Sequence, residues 1–177
     1  MIRAAIPSDV TELLAVTEAI GLEAEEIGTL RSMLNEYFQA SAPTLPSNAP
    51  SNAPSNVPSN VHSDEHWLVD DDSGLVSVAY YAPERMTQGT WNLYLIAVRP
   101  EFQGKGRGSA MLRYVEDNLR QKGERLLIVE TSGLEYFAPA RAFYRKNGFE
   151  QEARIRDFYS SGEDKIVFCK ALNPVKH

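Results

Sequence analysis

The chain has 177 residues, 43% hydrophobic and 24% charged, the proportions of an ordinary globular protein with room for one domain and a real core. Its formal charge of −6 offers no basic excess to neutralise phosphates, which argues against a nucleic-acid binder. No stretch approaches the roughly 20 apolar residues that span a bilayer, so no membrane partner is expected. The opening MIRAAIPSDV lacks the apolar core of a secretory leader, and the lone Cys169 leaves no internal disulfide; the expected location is cytoplasmic. A mildly acidic surface suits a cationic substrate such as an amine, although solubility alone also accounts for it.

Ser8 and Asp9 precede an apolar series at Val10, Leu13, Leu14 and Ile20, the pattern of a capped amphipathic helix that Gly21 stops. A second helix is predicted over residues 24–39, with Ile27, Leu30, Leu34 and Phe38 on one side. Residues 46–61 then run as four tetrads, PSNA, PSNA, PSNV and PSNV. Proline at every fourth position blocks helix and sheet ladders, and Ser and Asn offer nothing to bury. The expectation is a disordered insert at about residues 42–63 within a single domain spanning residues 1–177.

Trp67, Leu68 and Val69 read as a short strand before an acidic turn at Asp70, Asp71 and Asp72. Residues 75–82 (LVSVAYYA) form a second strand, and residues 90–98 (TWNLYLIAV), apolar on both faces, a third at the centre of the sheet. A helix follows over residues 108–122, with Met111, Leu112, Val115 and Leu119 as its apolar stripe and Gly123 as its stop. A buried strand at 126–131, a short helix at 139–146 and strands at 149–158 and 165–172 close the chain. The order ααβββαβαββ predicts a mixed α/β sheet with helices on both faces.

The most informative stretch is VRPEFQGKGRGS, in which Gln103, Gly104, Lys105, Gly106, Arg107, Gly108 and Ser109 join a buried strand to a helix. Glycines let the backbone turn tightly and bring its amides against a ligand with no Cβ in the way. The first-turn amides and the dipole of the helix add positive potential, and Lys105 and Arg107 add mobile cationic donors. Such a nest suits a pyrophosphate. Neither the Walker string GxxxxGK[ST] nor the dinucleotide fingerprint GxGxxG occurs.

The loop does fit Q/R-x-x-G-x-G/A through Gln103, Gly106 and Gly108. Downstream, ARAFYRKNGF at residues 140–149 is a short helix with an aromatic–Tyr pair that ends in Gly-Phe. On these two motifs the chain resembles the GNAT superfamily of acyl-CoA-dependent N-acyltransferases, from about Trp67 onward. The resemblance implies an α/β fold with a mixed, mostly antiparallel sheet, splayed central strands and helices on both faces. It implies acetyl-CoA as co-substrate, with no metal. Backbone groups of Ile96, Ala97 and Val98 would pair with pantetheine in the gap, and one N–H would act as an oxyanion donor.

Tyr144 stands where the superfamily often has the tyrosine that protonates the departing thiolate. Two positions depart from the pattern. The strand glutamate that serves some members as general base falls at Asn92, and an Asn seven residues before the tyrosine falls at Phe137. Glu130 is the first candidate for a substitute base, with Glu84 and Tyr94 behind it. Cys169, in an apolar strand with no histidine near it in sequence, reads as a small buried hydrophobe, so transfer is expected to be direct, in a ternary complex.

The functional expectation is movement of an acetyl group from acetyl-CoA to a primary amine of a small molecule or a protein. The alternative is a non-catalytic acyl-CoA sensor, motivated by Asn92 and Phe137. The two N-terminal helices and the loops after Ala82 and Phe158 would wall the acceptor site, with Asp70, Asp71, Asp72, Glu84, Asp157 and Asp164 favouring a cation. A homodimer is compatible with the sequence. His62, Asp64, Glu65 and His66 cluster at the linker edge with no further imidazole or cysteine beside them in sequence, and no metal is assigned.

Overall fold

Two apolar segments rich in β-branched and aromatic side chains, LVSVAYYAP and TWNLYLIAV, form the paired central strands β3 (Leu75–Pro83) and β4 (Thr90–Val98). Before them come β1 (Ile2–Ala4), α1 (Val10–Ala19), α2 (Ala24–Ala40) and β2 (His66–Asp71). After them come α3 (Arg107–Gln121), β5 (Leu126–Ser132), α4 (Ala138–Lys146), β6 (Glu150–Ser160) and β7 (Glu163–Ala171). The computed structural model describes residues 1–40 and 64–173, and the predicted PSN(A/V) insert and His62 lie outside them.

The strands make one seven-stranded sheet in the order β1-β2-β3-β4-β5-β7-β6, antiparallel except where β4 meets β5. Strand β1 is absent from the sequence-based reading; at three residues it is too short to show a period and exists by pairing with β2. Helices α1 and α2 cover one face, through Leu13, Leu14, Val16 and Leu34 against Trp67, Val69 and Val78. The stripe of α3 and Tyr144 of α4 cover the other, against Leu93, Leu127 and Phe168. No helix among the described residues is long and apolar enough to cross a membrane.

The register of β4 is broken once. Tyr80 pairs with Leu95 and Tyr81 with Leu93, so Tyr94 is the extra residue of a β-bulge. Beyond that point the side chains change parity: Trp91 and Leu93 pack on the α3 face, but Leu95 and Ala97 pack on the α1 face. On its other edge β4 pairs with β5 for three residues only, Thr90 with Leu126, Trp91 with Leu127 and Asn92 with Ile128. From there the two strands diverge, which is the predicted splay. β4 keeps its pairing with β3 as far as Val98.

The charges that close the N-terminal side correct the sequence-based reading twice. Asp9 does not cap α1: it ends a turn over Pro7–Asp9, and its carboxylate accepts the N–H of Ile6 at 2.8 Å and Arg3 at 2.6 and 3.0 Å. The acids expected to face a cationic acceptor are also mostly consumed internally. Buried Asp70 accepts the Met1 ammonium and Arg107, each at 3.1 Å; Asp71 accepts Arg3 at 2.9 Å; and Asp72 pairs with Arg107. Asp164 takes Arg154 and the N–H of Asp157, and Asp157 accepts the N–H of Gly162 at 2.7 Å.

On the α3 face Glu116, 2% exposed, holds Arg120 at 2.8 Å and Lys170 at 2.7 Å, and Lys170 also bonds the Asn147 carbonyl beyond the end of α4. That group ties helix, strand and helix end together, and loss of one partner would strand a buried charge.

His66 at the start of β2 stacks on Tyr81 and Trp91, with centroids 4.9 and 5.7 Å away, and lies 2.9 Å from the Lys122 ammonium. Burial, and then the Lys122 charge, push the imidazole down to about 4. Because the folded state binds this proton less readily than the unfolded chain, His66 contributes stability above its ordinary value of 6.5, and the contribution is lost as pH falls toward 4. Urea midpoints measured across that window should fall less steeply with acidification in His66→Gln than in the native sequence.

Candidate active site

The loop after β4 folds as its composition dictates. Pro100–Phe102 make one tight turn, and Gly104 and Gly106 then adopt φ of +71° and +80°, which a side chain resists. Gly106 ends the loop as the residue before α3. The first close bond of the helix runs from the N–H of Ala110 to the Gly106 carbonyl at 2.9 Å, so the amides of Gly108 and Ser109 have no partner within the helix. The side-chain amide of Gln103 donates to the Val98 carbonyl at 3.0 Å and so pins the loop to the end of β4. Gly108 is tight for a different reason, since a Cβ there would sit 3.3 Å from the Phe143 ring of α4.

These elements enclose a hollow of about 440 Å³. Of the sequence-predicted ligand residues, Ile96, Ala97, Val98, Gln103, Gly104, Gly106, Arg107, Gly108 and Ser109 all line it, and so does Tyr144. Lys105 does not; its ammonium lies 5.4 Å from the Phe102 ring centroid. Arg107 lines the hollow but is not the mobile donor expected, because Asp70 and Asp72 hold its guanidinium. Ile20, Phe102, Pro139, Ala140, Phe143 and Lys146 complete the wall, and the sequence reading assigned them no part in it. They come from the end of α1, the turn after β4 and α4, which are distant in the chain and meet only in the fold. Phe137 is not part of the wall.

Tyr144 is 7% exposed, its ring packed near Phe143, Phe149 and Phe168 at centroid distances of 5.3, 5.9 and 5.8 Å. Burial pushes its phenol well above the ordinary value near 10, so it keeps its proton at neutral pH.

A second hollow, of about 660 Å³, opens further back along β4, between α2 and the β3–β4 turn. Leu30 and Met33 of α2 and Leu95 of β4 give it an apolar floor, and Tyr80 and Tyr94, with centroids 5.6 Å apart, give it an aromatic wall. Glu84 enters from the turn. It accepts the Tyr94 hydroxyl at 3.3 Å and the Asn92 amide at 3.4 Å. Asn92 is 2% exposed, and its Oδ1 has no hydrogen-bond partner among the described residues. Tyr94 and Leu95 line this hollow while Ile96, Ala97 and Val98 line the first, so the two adjoin along consecutive residues of one strand.

Glu130 is placed differently. It accepts the Lys165 ammonium at 2.7 Å and lines neither hollow. Lys165 in turn lies over the Phe158 ring at 3.6 Å, so Glu130 balances a nearly buried cation. Cys169 lies on β7 opposite Ile128 and Glu150, and burial raises its thiol above the ordinary value. Among the described residues no group of three His, Cys, Asp or Glu side chains has the proximity to hold a metal.

An acetyltransferase (GNAT) domain family model matches residues 62–151. A solved structure assigned to the GNAT acetyltransferases, from Desulfovibrio desulfuricans, is 31% identical; it covers 98% of this chain and 99% of its own, with a TM-score of 0.83. The [ribosomal protein bS18]-alanine N-acetyltransferase of Escherichia coli K12 is 28% identical over 99 residues, which are 54% of this chain and 66% of that enzyme. An aminoglycoside 6′-N-acetyltransferase complexed with coenzyme A shares the fold at 12% identity and a TM-score of 0.72, covering 100% of this chain and 99% of its own. The chain belongs to the GNAT family and is an acetyl-CoA-dependent acyltransferase.

The positive φ of Gly106 sets a cost for any side chain there. Gly106→Ala should lower stability by about 1 kcal/mol, although its Cβ would meet no atom within 4 Å. Gly28→Ala, equally open but inside α2, should raise stability by about 0.5–1 kcal/mol. Denaturant titrations of the two variants check the contrast.

Proposed function

We propose that the protein moves the acetyl group of acetyl-CoA to a primary amine by direct transfer, with the two substrates meeting along β4 where its pairing with β5 has ended. The observation that carries this reading is the end of β4–β5 pairing at Asn92, which leaves the rest of β4 unpaired on that edge between the two hollows. The first hollow fits the acyl donor: glycines keep its mouth free of Cβ atoms, the amides of Gly108 and Ser109 are open, and Lys146 adds positive charge. The residues that would hold the donor are Gly104, Gly106, Gly108 and Ser109 at the phosphates and the backbone of Ile96, Ala97 and Val98 along the chain. When bound, the donor supplies an activated acetyl thioester.

The chain's own groups then divide the proton work. Glu84, within hydrogen-bond distance of Asn92 and Tyr94, takes the proton of the incoming ammonium, directly or through one water. Asn92, buried beneath Glu84 with its Nδ2 3.4 Å from that carboxylate, positions the base and takes no proton itself. An unpaired N–H of β4 stabilises negative charge on the acetyl oxygen. Tyr144, kept protonated by burial, donates to the leaving sulfur, and the second proton shed by the acetylated nitrogen returns through water to restore the phenol. Glu84 is preferred to Glu130 because the latter is committed to Lys165. A covalent route through Cys169 is disfavoured, since the thiol is raised and lines neither hollow.

Thiol release from acetyl-CoA in the presence of a panel of primary amines tests the whole reading. Tyr144→Phe should lower kcat by about 10²-fold or more, with acetyl-CoA affinity by calorimetry held within about twofold because no phosphate contact changes. An unchanged kcat removes the acid role.

A further inference from the structure

The donor hollow contains a cation that the fold has already engaged. Among the described residues that line it, Arg107 and Lys146 carry positive charge, and none is a carboxylate. Arg107 is the first residue of α3, set between Gly106 and Gly108 where the loop becomes helix. Its guanidinium reaches back to the end of β2 and the turn that follows. One terminal nitrogen donates to Asp70 at 3.1 Å and the other donates to Asp72. The charge that would suit a phosphate is thus answered inside the protein.

The two carboxylates are held very differently. The Asp70 side chain is 4% exposed and that of Asp72 is 52% exposed. Taking Arg107 from Asp70 would deprive a buried carboxylate of a partner, which is costly. Taking it from Asp72 costs little, because water solvates that carboxylate and an exposed ion pair contributes little to stability. A guanidinium is a planar fork with several N–H donors, so one side can stay on Asp70 while the other turns to a new anion. Phosphate oxygens match that fork well.

We infer, on the donor placement proposed above, that Asp72 sets the strength of donor binding. It holds Arg107 before the donor binds and yields the guanidinium to the diphosphate of the coenzyme A moiety, while Asp70 keeps its bond. The diphosphate is the partner because Arg107 sits within the glycine loop, beside the open amides of Gly108 and Ser109. Affinity is lowered by the exchange, since each binding event displaces a carboxylate. The product carries the same diphosphate, so Asp72 recaptures Arg107 as coenzyme A departs.

Calorimetry with acetyl-CoA, coenzyme A and 3′-dephospho-coenzyme A tests the inference without turnover. Asp72→Asn keeps the side-chain shape, removes the charge and should tighten Kd about fivefold for all of them, as befits one charge-assisted contact. A residue that only held the fold together would not tighten binding when altered. Glu101→Gln removes the same charge from the exposed turn before the loop and releases no guanidinium, so it should change Kd by less than about twofold. In an Arg107→Gln background the gain from Asp72→Asn should vanish; if that background does not fold, the comparison of Asp72→Asn with Glu101→Gln decides. An unchanged or weakened Kd in Asp72→Asn, an equal gain in Glu101→Gln, or a gain that survives in Arg107→Gln overturns the inference. So does a gain confined to the ligands that carry the 3′-phosphate. The transferase reading stands in each of those cases, whereas absence of affinity for every one of these ligands overturns both.

Discussion

The structure depends on what happens to β4 at Tyr94. A central strand normally saturates both edges, because buried backbone groups left unpaired are costly. Here the bulge reverses the side-chain parity and the ladder to β5 stops after Asn92. The remaining residues of β4 stay anchored to β3 on one edge while the other is left open. Such a stretch of backbone in the middle of a sheet persists only if the surrounding core imposes it, and both cores do so: Leu93 is locked under α3 and Leu95 against the α1–α2 side. Two hollows adjoin along consecutive β4 residues as a result.

Charge is allocated with the same economy. On the N-terminal side, Asp9, Asp70, Asp71 and Asp72 are matched by Arg3, Arg107 and the Met1 ammonium. Arg107 is thereby a clamp between the start of α3 and the β2 hairpin. Glu116 with Arg120 and Lys170, and Glu130 with Lys165, settle further charges within the fold. Against that background Glu84 stands out, because it lines an open hollow beside the fork. Net acidity of the chain says little about an acceptor; the position of the acids that face a hollow says more.

The two departures from the superfamily pattern acquire a physical setting. Asn92 occupies the last paired rung of β4, buried, with its Nδ2 on Glu84 and its Oδ1 unpartnered among the described residues. In the proposed transfer, the buried amide at the fork positions the Glu84 carboxylate that the β3–β4 turn supplies. Phe137 lies just ahead of α4 and packs edge-on against Tyr136 with centroids 5.1 Å apart, outside the hollow that Tyr144 lines.

The amino-acid sequence by itself determined the elements that repeat with a clear period and the loop whose glycines announce their own conformation. The strands 75–82 and 90–98, the helix stripe of Met111, Leu112, Val115 and Leu119, and the nest between Gln103 and Ser109 are local properties, written in neighbouring residues. What lay beyond reach was set by contacts between distant parts of the chain. The strand Ile2–Ala4 exists only through β2, and the cap expected of Asp9 was lost to Arg3 and Ile6. Glu130 and Glu84 look alike as strand-end and turn carboxylates, and only folding gave one a lysine and left the other beside Asn92 in a hollow. Tertiary structure decided those roles because a carboxylate's chemistry is set by its neighbours in space, and here those neighbours lie 8 to 35 residues away in the chain.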